Sequence, residues 1–274
     1  MDKTLAKGLA VLEYLVDQGR PCGVSDVARA LDLAASNAHR TLQSLVGLGY
    51  VRQLPDARYG ATLRLFEMGS RVAAGLDVKE VARQELAGLA QQTEETIHLA
   101  VRDGAEVIYL DKIDSPQPVA AYSRVGGRAP AQCVATGKVL LAAALPPSRE
   151  QAEGWLAAAI PVLHPYTRYS HRSYPGLLDD LLQARAQGHA LNRGEWREGV
   201  SGLGAPIFDG RATAVAALGI SLPSIRFTPE RIPLLAELLR AAAARASAAL
   251  GYGPASVLAT ARRAGSDATP VMNH

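Results

Sequence analysis

Apolar side chains recur every three or four residues along the first part of the chain, a spacing that predicts helices burying one face. In the first predicted helix they are Leu5, Leu9, Leu12 and Val16. Two shorter helices follow, separated by a tight break at residues 31–33. Ser25 is expected to cap the first of these, because a serine hydroxyl accepts hydrogen bonds from the unpaired N–H groups at a helix start.

The second short helix is followed by a strand–turn–strand pattern. Its apolar positions are Ala38, Leu42 and Leu45, at i, i+4 and i+7. Residues 50–52 are predicted as a strand, residues 55–57 as a turn, and the second strand contains Tyr59. Three helices followed by such a hairpin, or wing, are typical of a winged helix-turn-helix, so residues 1–61 are predicted to bind DNA.

With the apolar positions facing inward, the other face of the second short helix is polar and is expected to meet base edges in the major groove. The side chains predicted to contact DNA are Ser25, Ala35, Ser36, Asn37, His39, Arg40, Gln43, Arg52 and Arg58. The alternative is a helical hairpin with a solvated polar face. The break, the helix spacing and the wing occur together, which favours DNA binding.

The rest of the chain predicts a second domain. Residues 62–76 are predicted as a linker helix, and from Thr96 the apolar period changes from helical to alternating. Strands are expected at residues 97–102, 106–113, 119–122, 189–192, 202–208 and 214–222, and helices at 78–92, 135–144, 175–187 and 230–250. This order predicts an α+β domain over residues 77–253, an antiparallel sheet flanked by helices. Residues 254–274 lack a period and are predicted to be disordered.

Composition narrows the function classes only a little. The 274 residues suggest two domains, and the net charge of +3 is weak, although residues 29–71 hold six arginines against three acids. Cys22 and Cys133 lie far apart and form no C-x-x-C, so neither a disulfide framework nor a metal site is expected. Without a signal peptide or an 18-residue apolar run, a cytoplasmic protein without a membrane partner is expected.

Wing, linker and second domain together resemble the isocitrate lyase regulator (IclR) type of bacterial transcription factor, from Leu5 to about Gly251. The more specific stretches are RAPAQCVATGKVLLA, QGHALNRGEWREGVSGLGAPIFD and AVAALGISLPSIRFT. The resemblance implies a repressor or activator of catabolic genes whose C-terminal, GAF-like domain binds a small organic acid. It also implies homodimers on double-stranded operator DNA, often paired into tetramers, with no cofactor.

The resemblance places the effector between the strand ends and the helix that Thr136 opens, where a helix N-terminus favours a carboxylate. The matching residues are Gly126, Gly127, Arg128, Ala129, Cys133, Thr136, Gly137, Asn192, Glu195, Gly202, Gly219 and Ser221. Asn192 stands where the family usually has an acid. Gly202 and Gly219 stand where larger side chains are common, which favours a bulky, aromatic acid.

Each of these assignments has a plainer alternative. Thr136 could simply start a helix, Arg128 could be a surface charge, and Cys133 could be a small buried apolar group. Glu195 could pair with Arg193 or Arg197, and a glycine inside a strand can mark a bulge or close backbone packing.

Two other function classes compete with a ligand-responsive regulator. An enzyme that converts small acids could be fused to a winged helix, but no acid–base pair or nucleophile has a recognisable setting, and no catalytic residue is expected. An architectural DNA-binding protein would not need the second domain.

Overall fold

Three helices and a two-stranded hairpin begin the chain in the computed structural model, which describes residues 2–74, 77–121 and 123–253. The helices are α1 (Lys3–Gln18), α2 (Val24–Ala30) and α3 (Ala35–Gly47). The hairpin pairs β1 (Val51–Gln53) with β2 (Tyr59–Ala61), and α4 (Arg64–Ala74) follows. The chain divides into two units, residues 1–76 and 77–274. The predicted disordered segment, residues 254–274, lies outside the described residues.

The first unit has a small core of its own, formed by the apolar faces that the sequence pattern predicts. Its buried members are Val11, Leu15, Cys22, Val27, Ala28, Ala38, Leu42, Leu45, Val51 and Tyr59. Tyr59 joins the wing to the helices, because its backbone exchanges hydrogen bonds of 2.8 and 2.9 Å with Cys22. The winged helix-turn-helix fold is therefore confirmed.

The prediction that Ser25 caps α2 is wrong. Gly23 is the N-cap residue, and its N–H group donates to Oδ2 of Asp26 at 3.0 Å. The carboxylate of Asp26 reaches back to the helix start, so the helix begins two residues earlier than predicted and Ser25 lies exposed in its first turn.

The second unit is built on one six-stranded antiparallel sheet. Its strands are β3 (Thr96–Asp103), β4 (Glu106–Ile113), β5 (Arg128–Pro130), β6 (Ala190–Arg193), β7 (Val200–Phe208) and β8 (Ala214–Pro223). They are arranged in the order β5-β4-β3-β8-β7-β6. The long strands β3 and β8, remote in sequence, pair at the centre of the sheet, with His98 opposite Gly219.

Helices cover this sheet. They are α5 (Asp77–Thr93), α6 (Ala135–Ala144), α7 (Arg149–Ala159), α8 (Tyr174–Gln187) and α9 (Arg231–Ala249). Helix α6 packs on β7 and β8 and also contacts α8. Helices α5 and α9 pack against each other, α5 also against β3 and α9 also against β7. The α+β fold predicted from the sequence is confirmed. No helix within the described ranges is long and apolar enough to cross a membrane.

The strand predicted at residues 119–122 is wrong for its described part, residues 119–121. The carbonyl of Val119 accepts from Arg226 at 2.9 Å, and that of Ala121 accepts from the Thr96 hydroxyl at 3.4 Å. Side chains thus take the hydrogen bonds that a neighbouring strand would supply. The unpredicted β5 pairs with β4 at this edge instead, and α7 is a second element that the sequence pattern did not indicate.

Candidate DNA interface and effector cavity

The face of α3 opposite the core is polar and open. Ala35, Ser36, His39, Arg40 and Gln43 are exposed, and Asn37 is half-buried. The Arg40 guanidinium donates to Oδ1 of Asn37 at 3.3 Å, so its own helix orients it. Nε2 of Gln43 donates to the Tyr59 hydroxyl at 2.9 Å and more weakly to Oε1 of Gln53 at 3.4 Å. These bonds join the helix face to the wing.

The wing adds positive charge beside this face. Arg52 and Arg58 are both exposed, on β1 and in the turn that precedes β2. Nε of Arg58 lies 2.6 Å from Oδ2 of Asp56, and this hydrogen bond raises the pKa of Arg58 and lowers that of Asp56. Arg58 is therefore held by a neighbouring carboxylate in the absence of DNA.

The N-terminus of α6 differs from those of the two helices after it. Ser148 and Ser173 cap α7 and α8 by accepting backbone hydrogen bonds at 3.3 and 3.4 Å. At the start of α6 the N-cap residue is Val134, and no side chain of the described residues caps it. The adjacent Thr136 hydroxyl is buried and also lacks a hydrogen-bond partner within the described ranges. A buried polar atom without a partner is rare and calls for an explanation such as a ligand or a water molecule.

A cavity of about 40 Å³ lies at this helix start. It is lined by His98, Tyr109, Ser123, Val134, Ala135, Thr136, Asn192, Trp196, Arg197, Val200, Leu203, Gly219, Ile220 and Ser221. The volume is enough for water but small for an organic molecule. We call it the effector cavity.

Three of its side chains form a group held by a hydrogen bond and a contact between two tilted rings. Nε2 of His98 lies 2.5 Å from Oγ of Ser123, and the His98 and Tyr109 ring centroids are 4.6 Å apart. Burial, helped by the nearby charge of Lys112, lowers the pKa of His98 to about 4. The imidazole is therefore neutral near pH 7, with one nitrogen donating and the other accepting.

Of the residues that the resemblance assigned to the effector, four line the cavity: Thr136, Asn192, Gly219 and Ser221. The others do not line it: Gly126, Gly127, Arg128, Ala129, Cys133, Gly137, Glu195 and Gly202. Arg128 is a half-exposed surface charge, with its guanidinium 2.6 Å from Asp103 and 3.0 Å from Glu106. Gly126 and Gly127 form the turn that leads into β5.

The two strand glycines do not enlarge the cavity, so the size argument for a bulky acid is wrong. A Cβ atom on Gly202 would collide with the carbonyl oxygen of Ile220 in the neighbouring strand. A Cβ atom on Gly219 would lie 2.5 Å from the Thr136 methyl group. Both glycines permit close packing, which is the alternative their strand positions allowed.

Cys133 and Glu195 are buried beside the cavity rather than in its lining. Burial raises the pKa of the Cys133 thiol to about 12, so the side chain is an uncharged, compact group. Glu195 pairs with neither the Arg193 nor the Arg197 guanidinium. Its Oε1 lies 2.8 Å from Nζ of Lys138, and the backbone N–H of Arg193 donates to the same oxygen at 3.3 Å.

Five polar or aromatic side chains of the cavity lining were not predicted from the sequence: His98, Tyr109, Ser123, Trp196 and Arg197. The pairing of β3 with β8 places His98 opposite Gly219, and only that pairing could have indicated that His98 lines the cavity.

Comparisons with known proteins match both units. Residues 4–55 match the IclR helix-turn-helix domain, and residues 70–248 match the family described as bacterial transcriptional regulator IclR C-terminal. The HTH-type transcriptional regulator KdgR of Escherichia coli (strain K12) is 34% identical over 253 residues, which cover 91% of this chain and 93% of that protein.

Solved structures agree with these matches. IclR of Thermotoga maritima is 30% identical with a TM-score of 0.77, over 92% of this chain and all of that one. An IclR homolog from Microbacterium hydrocarbonoxydans, complexed with 4-hydroxybenzoate, is 26% identical with a TM-score of 0.76. That similarity covers 90% of this chain and 99% of that one.

Proposed function

Because this chain belongs to the IclR family of bacterial transcriptional regulators, we propose that a small carboxylic acid bound in the effector cavity changes its affinity for operator DNA. The chain is a DNA-binding transcriptional regulator with an effector-binding domain, and it is not an enzyme. The proposal concerns the ligand of the second unit, its position in the cavity and its effect on operator binding.

One observation carries the proposed position of the carboxylate. The start of α6 is uncapped, and the buried Thr136 hydroxyl beside it has no partner among the described residues. A helix N-terminus supplies N–H donors and a partial positive charge, and both stabilise an anion. A carboxylate oxygen would satisfy the hydroxyl and the helix start together.

The finer proposal is that the acid is aromatic. The homolog from Microbacterium hydrocarbonoxydans is complexed with 4-hydroxybenzoate, an aromatic acid. In this chain Tyr109 and Trp196 offer aromatic faces in the cavity lining, and the neutral His98 with Ser123 offers partners for a hydroxyl group. A ring would require the cavity of about 40 Å³ to widen.

We further propose that the regulator binds DNA as a homodimer, as two copies of the chain on paired half-sites. Leu5 and Leu9 on α1 and Phe66 and Met68 on α4 are exposed apolar side chains. Leu5, Leu9 and Met68 border, together with α3, a groove of about 750 Å³ in the first unit. One recognition helix contacts few base pairs, so two half-sites increase specificity. Light scattering that shows a monomer at working concentration would contradict this assembly.

The proposal places the protein in the bacterial cytoplasm, where operator DNA lies, and its targets among catabolic genes. The alternative of an enzyme that converts small acids gains no support, since the relatives are named as regulators. Both repressors and activators remain compatible with the fold.

Calorimetry on the full chain tests the effector proposal. Benzoate, 4-hydroxybenzoate, gluconate and pyruvate are titrated with and without the DNA upstream of the chain's own gene. We expect an aromatic acid to bind unchanged and to shift the DNA affinity. Thr136→Val keeps the side-chain shape, and it should weaken that acid by about 1 kcal/mol through the lost hydroxyl. Equal binding by the variant and the wild type would mean that the carboxylate lies elsewhere. Consumption of the acid would instead support the enzyme alternative.

A further inference from the structure

A partly buried ionic cluster is centred on Lys138 of α6, two residues after Thr136. The Lys138 side chain is 1% exposed, and its Nζ lies 2.7 Å from Oδ2 of Asp180 and 2.8 Å from Oε1 of Glu195. Nε2 of His171 lies 3.1 Å from the same oxygen of Asp180. Burial alone would raise the pKa of Asp180, but the hydrogen bond with His171 and the charge of Lys138 outweigh it and hold that pKa at about 2.

The positive charge between the two carboxylates of this cluster is the Lys138 ammonium rather than a metal ion. His171, Asp180 and Glu195 bring atoms that could ligate a metal within 4.8 Å of one another. The Lys138 ammonium, however, already lies at hydrogen-bonding distance from both carboxylates, so a metal ion would have to displace it. The Lys138 ammonium therefore supplies the positive charge that a bound metal ion would otherwise supply.

The segment that Lys138 holds forms one wall of the effector cavity. Residues 194–199, which we call the cover segment, begin at Gly194 with φ of 79° and end at Gly199 with φ of 81°. Glycine adopts this left-handed conformation without strain, so the chain can turn sharply at both ends of the segment. Between them lie Trp196 and Arg197, which line the cavity.

Further hydrogen bonds fix the start of the cover segment. The N–H group of Glu195 donates to Oδ1 of Asn192 at 3.0 Å, and Asn192 itself lines the cavity. The carbonyl of Gly194 accepts from Thr167 at 2.7 Å, and that of Glu195 accepts from Ser170 at 2.6 Å. Trp196 and Arg197 come directly after, so the position of Glu195 sets where the rest of the wall begins.

We propose that Lys138 is a positioning residue of the effector site, whose ion pair with Glu195 holds the cover segment closed against α6. Lys138 and Thr136 lie two residues apart on α6. The same helix therefore fixes both the cover segment, through Lys138, and the proposed position of the carboxylate, at Thr136. A cavity of about 40 Å³ is well below the roughly 300 Å³ of small ligand sites, so a wall must move to admit a ligand. The cover segment is an irregular stretch between two glycine turns, outside the helices and strands, so we expect it to be that wall.

The nature of the pair agrees with a positioning role rather than with added stability. Removing two charges from water costs about as much as their attraction returns, so a buried ion pair often adds little to stability. Oε2 of Glu195 is also buried and lacks a hydrogen-bond partner among the described residues. Replacing both charges by neutral groups of similar shape should therefore leave the fold intact and loosen the cover segment.

The test uses the full chain and Trp196 as its reporter. The sequence has two tryptophans, so Trp155→Phe in every variant leaves Trp196 as the only indole. The variant that removes the ion pair is Lys138→Met with Glu195→Gln, which avoids leaving the buried charge of Glu195 unpaired. Asp180 also loses Lys138, but it is 28% exposed and keeps its contact of 3.1 Å with His171. The matched control is Arg149→Met with Asp179→Asn, which removes a neighbouring surface ion pair of 2.6 Å.

Acrylamide quenching without ligand reports how open the cover segment is, and stopped-flow fluorescence with 4-hydroxybenzoate reports release. We expect the Lys138/Glu195 variant to be quenched more strongly than its background and to bind the acid about ten-fold more weakly, mainly through faster dissociation. Its unfolding midpoint in urea should stay close to that of the background, and the control should match the background throughout.

The inference rests on the proposed effector function, but the two can fail separately. If no acid binds the wild-type chain, the effector proposal fails, and the ligand-free quenching still decides whether Lys138 positions the cover segment. A folded Lys138/Glu195 variant with unchanged quenching overturns the inference, even if acids bind.

Discussion

The missing side chain of Gly219 leaves the space that the methyl group of Thr136 fills. A Cβ atom added at Gly219 would lie 2.5 Å from Cγ2 of Thr136, closer than carbon atoms approach. The sheet and the start of α6 are therefore packed against each other at the floor of the effector cavity.

This packing predicts a rescue between the two positions. Gly219→Ala should destabilise the second unit by about 1–3 kcal/mol, because the added methyl group overpacks the contact. Thr136→Ser removes Cγ2 and keeps the hydroxyl, so the double variant should recover most of that loss. Urea unfolding of the wild type, both single variants and the double variant gives the coupling free energy. Additive losses would mean that the two groups do not meet.

The second prediction concerns base recognition by α3. Arg40→Ala should weaken specific operator binding by about 1–3 kcal/mol, the value of one good base contact, and leave non-specific binding less affected. Arg83→Ala, on α5 in the other unit, changes the net charge equally and serves as the control. Gel-shift titrations with operator and scrambled DNA separate the two effects. An Arg40 variant with wild-type operator affinity would remove this side chain from the interface.

The third prediction concerns the wing, where Asp56 holds Arg58 by a hydrogen bond that a DNA phosphate would have to replace. Arg58→Ala should weaken all sequences alike and lower the slope of log K against log salt by about 1, as expected for one lost phosphate contact. Asp56→Asn should have the opposite effect, since it releases the guanidinium and removes a negative charge near the phosphates. Both variants are measured by fluorescence anisotropy over a salt series. A loss confined to the operator would instead indicate a base contact.

The fourth prediction is drawn from the buried His98. Its pKa of about 4 lies below the ordinary value of 6.5, so the unfolded chain binds more protons between these two values. The contribution of His98 is therefore fully present above about pH 6.5 and is lost as the pH falls towards 4, by about 3 kcal/mol in total. Lys112 and Asp114 act on the same ring in opposite directions.

His98→Gln isolates that contribution, because it keeps a hydrogen-bonding group that does not titrate in this range. The difference in unfolding free energy between wild type and variant should change between pH 7 and pH 5. The stability that Asp180 contributes is lost only at lower pH, below its ordinary pKa of 3.8 and down to the value of about 2 in the folded protein. A difference that stays constant over this range would show that the ring is not buried as described.

The DNA-binding unit was predictable because its signals are local. The spacing of Ala38, Leu42 and Leu45 specifies the buried face of α3, and the turn residues after that helix specify the wing. The one error there, the Ser25 cap, arose because Asp26 supplies the same kind of bond from one residue further on.

The effector cavity was only partly predictable because it is assembled from distant strands. His98 carries no signal of its own, and it becomes a cavity residue only through the register of β3 with β8. Lys138 likewise carries no signal of its own, because its partners Asp180 and Glu195 lie 42 and 57 residues further along the chain. Pairing across such distances is not encoded in the period of any one segment.

We expect the hydrogen bond from Gln43 to the Tyr59 hydroxyl to limit which bases of the operator Gln43 can recognise. A glutamine needs both its amide oxygen and its amide nitrogen to grip adenine through N6 and N7. Because the nitrogen is already engaged by Tyr59 and Gln53, Gln43 would offer only its amide oxygen to a base edge in the proposed DNA complex. It should therefore accept the exocyclic amino group of either adenine or cytosine at its position. Selection of binding sites from random DNA would show this tolerance, and Tyr59→Phe should sharpen it towards adenine.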